Sequence, residues 1–388
     1  MFLSSSDRRT LSSGSSERSR VVYRFLTNFE WQATLLMLLL CCAGLCVLSS
    51  AGFDASTGYS APMQRQAMSM AIGLGVFSFC SIINTSFWKF WAYPFFVVGC
   101  VLLIAVLVNG HIAGGAQRWL NLGGLRMQPS EFMKFGLILT LARLFSERSA
   151  PLDGYSLVTL LIPGAVIGVP AALILIEPDL GTALCLSLVG GTMLLIMGVR
   201  WRAIKVLLMV APIVLVIGWF SIRDYQRQRV LTFMSPENDP LGSGYHAMQS
   251  KIAVGSGMMT GKGFLHGTQT QLRFLPEQTT DFIFSVLAEE WGFIGSAAVL
   301  IIYGLLVVRL LQIGMSCKDS FPSFVTFGVG ALLFWHAIIN VGMVIGVMPV
   351  VGITLPLLSF GGSSVVTLMS ALGIVVGIST RRFMFTNK

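Results

Sequence analysis

Long apolar runs alternate with short polar links along almost the whole chain. A bilayer crossing needs ~20 predominantly apolar residues. Ten runs fit that description, near 31–51, 66–84, 88–108, 131–146, 155–176, 180–199, 203–221, 291–310, 323–347 and 363–380. The fourth is short and carries charges. The fifth and sixth are parted only by Glu177, Pro178 and Asp179, which read as a tight turn. Two stretches break the alternation. Residues 1–20 are rich in Ser and Arg with no apolar core, so the first 28 residues read as a disordered cytoplasmic tail rather than a signal peptide. Residues 222–280 form a long, polar, glycine-rich extracytoplasmic loop between the seventh and eighth runs. The expected fold is all-α: a polytopic membrane protein of about ten transmembrane helices, with residues 29–388 as one transmembrane domain.

Composition strengthens this picture. The 388 residues are 54% hydrophobic and 11% charged, with a mean hydropathy of +0.78. A soluble domain carries about 25% charged residues. The net charge of +9 therefore speaks first to orientation and then to anionic membrane lipids, not to nucleic acid. With the N-terminus inside, the even-numbered ends carry Lys89, Arg143, Arg148, Arg200, Arg202, Lys205, Arg309, Lys318 and Arg381. The short outer links carry only Arg65, Arg118 and Arg126. This bias predicts both termini in the cytoplasm. Six of the seven cysteines lie in apolar runs, and the four histidines are scattered. Neither disulfides nor a structural metal are expected.

The long loop is unusually basic for an outer segment, with Arg223, Arg227, Arg229, Lys251, Lys262 and Arg273 beside glycines. That combination suits close approach to an anionic ligand. Ser256–Gly263 (Ser-Gly-Met-Met-Thr-Gly-Lys-Gly) superficially looks like a phosphate-binding loop, but Ser256 and Gly263 stand where that motif needs Gly and Ser/Thr. Its glycines read instead as a flexible, close-packed loop. Arg227 and Arg229 diverge if they lie on a helix and point together if extended.

At the end of the loop, Phe274-Leu-Pro-Glu-Gln-Thr-Thr-Asp281 leads back into an apolar run. Asp281 stands where a lipid carries its polar head, flanked by Phe282 and Phe284. Desolvation there raises a carboxyl pKa and makes a better base near neutrality. A helix beginning near Asp281 would place Asp281, Ser285 and Glu289 on one face; a helix N-cap is the competing role. Glu289 and Glu290, just before Trp291, read as solvated interfacial charges. Glu131 and Lys134, three apart, share a helix face and can pair toward a cavity or lock two helices. Ser130 is the expected cap of that helix. Arg118 is a natural phosphate partner, and Asp179 an N-cap. Pro349–Ser364 holds two prolines and three glycines, and reads as a broken cavity wall lined by Ser359 and Ser363.

Together these motifs resemble the SEDS family (shape, elongation, division and sporulation) of bacterial peptidoglycan polymerases. The ordered matches are Gly115–Trp119, Gln128–Lys134, Pro178–Thr182, Leu275–Phe284, Ala288–Glu290 and Ser359–Ser363. The loop stretches Asp224–Arg229, Asp239–His246, Gln249–Ala253 and His266–Gln271 are similar to the elongation branch more than to the division branch. The resemblance implies a glycosyltransferase in the inner membrane that joins lipid II units into glycan. It implies Asp281 as the essential loop aspartate, Glu131 and Lys134 as the intramembrane pair, and Arg118 as the outer-loop cation. Arg227, Arg229, Lys251, Lys262, Ser359 and Ser363 complete the candidate substrate-binding set. A divalent cation, magnesium or manganese, is compatible with a pyrophosphate leaving group, and no organic cofactor is called for. The implied partners are lipid II, a class B penicillin-binding protein, the elongation machinery and membrane lipids. A lipid II flippase, a division or sporulation polymerase and a non-catalytic scaffold are the alternatives.

Overall fold

The computed structural model describes residues 29–54, 58–113, 116–122, 125–148, 154–221, 224–235, 242–275 and 277–384. The tail expected over 1–28 lies outside these. A helix stands at every apolar run: α1 (Trp31–Ala51), α2 (Ala61–Ile82), α3 (Thr85–Asn109), α4 (Pro129–Ser146), α5 (Leu161–Ile176), α6 (Leu180–Met197) and α7 (Trp201–Ser221). In the long loop lie α8 (Asp224–Met234), α9 (Ser243–Ser256) and α10 (Thr268–Gln271), followed by α11 (Ile283–Met315), α12 (Ser320–Val344) and α13 (Gly362–Met384). Among the described residues, α1, α3, α6, α11, α12 and α13 are long and apolar enough to cross a membrane. This is a multi-pass, all-α membrane protein. Short strands join the helices: β1 (Phe53–Asp54) pairs with β2 (Tyr59–Ser60), and β3 (His111–Ala113), β4 (Ala116–Leu122) and β5 (Leu125–Met127) form an antiparallel sheet.

The helices pack as a bundle, with α13 along α2, α12 along α11 and α4 between α3 and α12. At Gly377 of α13 an added Cβ would sit 2.5 Å from the Ser81 carbonyl, so glycine permits that close crossing. Helix starts follow local chemistry. Asp179 caps α6 by accepting from the Thr182 amide at 3.2 Å. The start of α4 falls earlier than expected: Gln128 is the N-cap, with no side-chain cap, and Ser130 is already inside the helix. Pro129 explains the shift, because its fixed φ and missing N–H suit the first helical position.

Over its described residues the long loop is largely helical, and it repairs a break in α11. Gly292, at φ 65°, interrupts that helix. Four backbone groups freed by the break are met by the loop: Lys262 and Gly263 amides donate to the Glu289 and Glu290 carbonyls at 3.0 Å, while Phe293 and Ile294 amides donate to the Met258 and Met259 carbonyls at 2.8 and 3.1 Å. Helix ends without such partners are costly in a membrane. The glycine-rich stretch that superficially resembled a phosphate loop is this splice. Gly261 sits directly on the Glu290 carbonyl, where a Cβ has no room.

Candidate active site

The described residues of the links 52–60, 110–128, 177–179, 224–282 and 345–361 meet at one end of the bundle. Gln278 donates to the Ala51 carbonyl at 2.7 Å, Arg118 to the Pro178 carbonyl at 3.1 Å and Arg229 to the Val350 carbonyl at 3.1 Å. Beneath them opens a cavity of about 840 Å³, within the range of pockets for drug-sized or larger ligands. Its wall includes the cations Arg65, Arg118, Lys134 and Arg229, the carboxylates Glu131, Glu277 and Asp281, and His336.

Asp281 is held there by its backbone. Three successive carbonyls are gripped: Thr279 by the Phe360 amide at 2.8 Å, Thr280 by the Ser359 hydroxyl at 2.6 Å, and Asp281 by the Asn340 amide at 2.8 Å. Helix α11 begins only at Ile283, after an N-cap at Phe282, so Asp281 is not a cap. Its carboxylate lies over Gly352, whose φ is +74° and whose Cβ, if it had one, would stand 3.3 Å from Oδ2. Burial pushes the carboxyl up to about 6, and the charge of Glu277 adds to that rise; Arg229, Arg118 and a hydrogen bond from Thr280 act against it. Such a group is ionised at neutral pH yet basic enough to take a proton.

Lys134 lies deeper. Its ammonium donates to Glu131 at 2.7 Å and faces His336 Nε2 at 3.0 Å. Arg118 pairs with Asp179 at 3.4 Å. Nearby Glu177 is buried, with one carboxyl oxygen unpartnered among the described residues. Burial, then the neighbouring Asp179, pushes it up to about 8, against the pull of Arg118.

A family model for FtsW/RodA/SpoVE cell-cycle proteins matches residues 30–383. The chain belongs to this SEDS family. It is 42% identical to the peptidoglycan glycosyltransferase MrdB of Escherichia coli K12 over 91% of this chain and 93% of that protein. Identity to the MrdB of Helicobacter pylori 26695 is 37%, over 83% and 84% of the two chains. Among solved structures, a peptidoglycan synthase complex studied for its structural coordination of polymerization and crosslinking matches at 31% identity and TM-score 0.78, over 92% of this chain and 98% of that one. The rod shape-determining protein RodA of Thermus thermophilus matches at 27% identity and TM-score 0.68, with the same coverage. This SEDS chain is a glycosyltransferase.

Of the expected site residues, the SEDS cavity brings together Asp281, Arg118, Glu131, Lys134, Arg229 and Ser363. The others stand elsewhere. Arg227 and Arg229 lie on α8, so they diverge, and only Arg229 lines the cavity. Lys251 borders a small pocket behind Arg229, beside Gly346 and Met348. Lys262 pairs with Glu289 at 2.7 Å, outside the cavity wall. Ser359 is spent as a staple, donating to Thr280 and accepting from the Leu355 amide at 2.8 Å. Glu289 and Glu290 are buried, at 0% and 2% exposure, not solvated. Glu289 serves the loop splice rather than a shared face with Asp281. All seven cysteines are free. Sequence reading missed His336, Glu277 and Arg65 as cavity residues. Arg65 was visible as an outer cation, but His336 sits alone in an apolar run and carried no local signal.

Proposed function

We propose that this chain polymerises lipid II during cell elongation, with Asp281 as the general base. The reading is carried by one observation: a basic carboxylate and four cations face a single cavity beneath the outer loops. The acceptor sugar hydroxyl loses its proton to the Asp281 carboxylate as its oxygen bonds to the donor's anomeric carbon. The bond from that carbon to the donor's pyrophosphate breaks, and the lipid pyrophosphate leaves with the electron pair. Lys134, Arg118 and Arg229 are the cations available for the charge that develops on it. A flippase would need charges along a route. Buried charges here gather at the cavity, the splice and the opposite rim, where Arg309 grips Glu30 at 2.8 and 3.1 Å.

Among the described residues no three His, Cys, Asp or Glu side chains come together to hold a metal. Among the described residues, Glu277 and Asp281 are the cavity carboxylates outside the Lys134 pair, and they would hold a divalent cation beside the substrate phosphates. The likeness to a synthase complex supports a class B penicillin-binding protein as partner.

Orientation follows from the basic residues: cavity outward, both termini in the cytoplasm of a bacterial inner membrane. A cysteine at exposed position 228, in a protein freed of native cysteines, should react with an impermeant thiol reagent in intact spheroplasts. Reaction only after lysis contradicts the orientation. The chemical role is tested with purified protein, its partner and labelled lipid II. Asp281→Asn keeps the shape and removes the base, so polymerisation should fall by about 10²–10⁴. A wild-type rate in this variant overturns the assignment.

A further inference from the structure

His336 lies 202 residues from Lys134 in sequence, yet 3.0 Å separates Nε2 from the ammonium. Both side chains are buried, at 4% and 3% exposure, and both border the cavity. An ammonium can only donate, so Nε2 must accept and the ring proton sits on Nδ1. That nitrogen faces the Thr354 carbonyl at 3.3 Å, which can only accept. The two contacts demand the same tautomer. Lys134 has three N–H donors; Glu131 takes one at 2.7 Å and His336 another. The third remains for whatever enters the cavity.

One helical turn further along α12, Asn340 donates to the Ile353 carbonyl at 2.7 Å and to the Asp281 carbonyl at 2.8 Å. The same two side chains on one face of α12 therefore hold two consecutive carbonyls of the broken wall and, directly, both Lys134 and the Asp281 backbone. His336 does for Lys134 what Asn340 does for Asp281.

We propose that His336 is a positioning residue for the reaction: its neutral ring fixes the Lys134 ammonium so that the remaining N–H meets a phosphate oxygen of the lipid pyrophosphate. This rests on the polymerase reading above. A plain alternative is that His336 only tethers the wall through Thr354.

Two substitutions separate these roles. His336→Gln extends an acceptor toward Lys134, where Nε2 stood. His336→Asn keeps a donor for Thr354 and withdraws the acceptor from Lys134. Binding of undecaprenyl pyrophosphate and of undecaprenyl monophosphate is measured on the full-length protein in detergent, with thermal melting to confirm folding. His336→Gln should bind pyrophosphate within about threefold of wild type. His336→Asn should lose about tenfold, the worth of one charged hydrogen bond, and should add nothing to the loss that Lys134→Gln causes alone. Equal behaviour of Asn and Gln, or additive losses in the double variant, overturns the proposal and leaves the polymerase reading standing. Failure of the folded wild-type protein to prefer pyrophosphate over monophosphate overturns both.

Discussion

Two ion pairs in this protein, one half-buried and one buried, have the same length and opposite character. Lys262 meets Glu289 at 2.7 Å, and Lys134 meets Glu131 at 2.7 Å. The first is saturated. Glu289 also accepts from the Thr268 hydroxyl, the Gln269 amide, and the amide and hydroxyl of Thr270, all within 3.2 Å. Nothing on that carboxylate is left for a ligand, and the pair stands at the joint where the loop mends α11. The second is open. Lys134 spends two donors inside the protein and borders an 840 Å³ cavity with the third. Charge in an apolar setting therefore does not by itself mark a substrate site. What sets Lys134 apart is unspent hydrogen-bonding capacity beside a cavity.

Of the two pairs, breaking the open one should have the larger effect on both fold and chemistry. Lys134→Met strands the Glu131 carboxylate and should cost about 3–5 kcal/mol of stability, with about 10²–10³ lost from the polymerisation rate of what remains folded. The exchange Glu131→Lys with Lys134→Glu sharpens the point. It should recover melting temperature without polymerisation, because a carboxylate now faces the phosphates. Full activity in the exchanged protein reduces the pair to a lock between helices.

The closed pair should behave otherwise. Glu289→Gln keeps the shape and some acceptors but removes the charge that Lys262 and the loop amides share. A stability loss of about 1–3 kcal/mol is expected, with kcat near wild type when folded protein is compared. A large fall in kcat without a fall in melting temperature would place Glu289 in the chemistry and erase the contrast.

Much of the helical framework was legible because bilayer crossing forces long apolar runs, and each run does contain a helix. Asp179 as a cap and Pro349–Ser364 as a cavity wall were legible for local reasons: a short acceptor before a helix, and prolines with glycines that cannot continue one. The site was legible only in part. Glu131 and Lys134 declare each other by spacing, whereas His336 joins them through the packing of α12 on α4, which no spacing reports. Ser359 and Ser363, four residues apart, took opposite roles because one faces the Thr280 carbonyl and the other the cavity. Glu289 and Glu290 were misread because their partners arrive from a glycine-rich loop whose path is set by a helix break at Gly292. Strands β3–β5, which carry Arg118, are too short and too varied to show period-two alternation.

If burial beside Glu277 makes Asp281 a base poised for neutral pH, the pH dependence of kcat/KM with lipid II must show it. A base works only when ionised, so activity should fall as pH drops through about 6, the value to which burial and Glu277 raise the carboxyl. In Glu277→Gln the repulsion is gone, and the acid limb should move to lower pH. An acid limb at the ordinary aspartate value near ~4, or one unmoved by Glu277→Gln, would contradict the account.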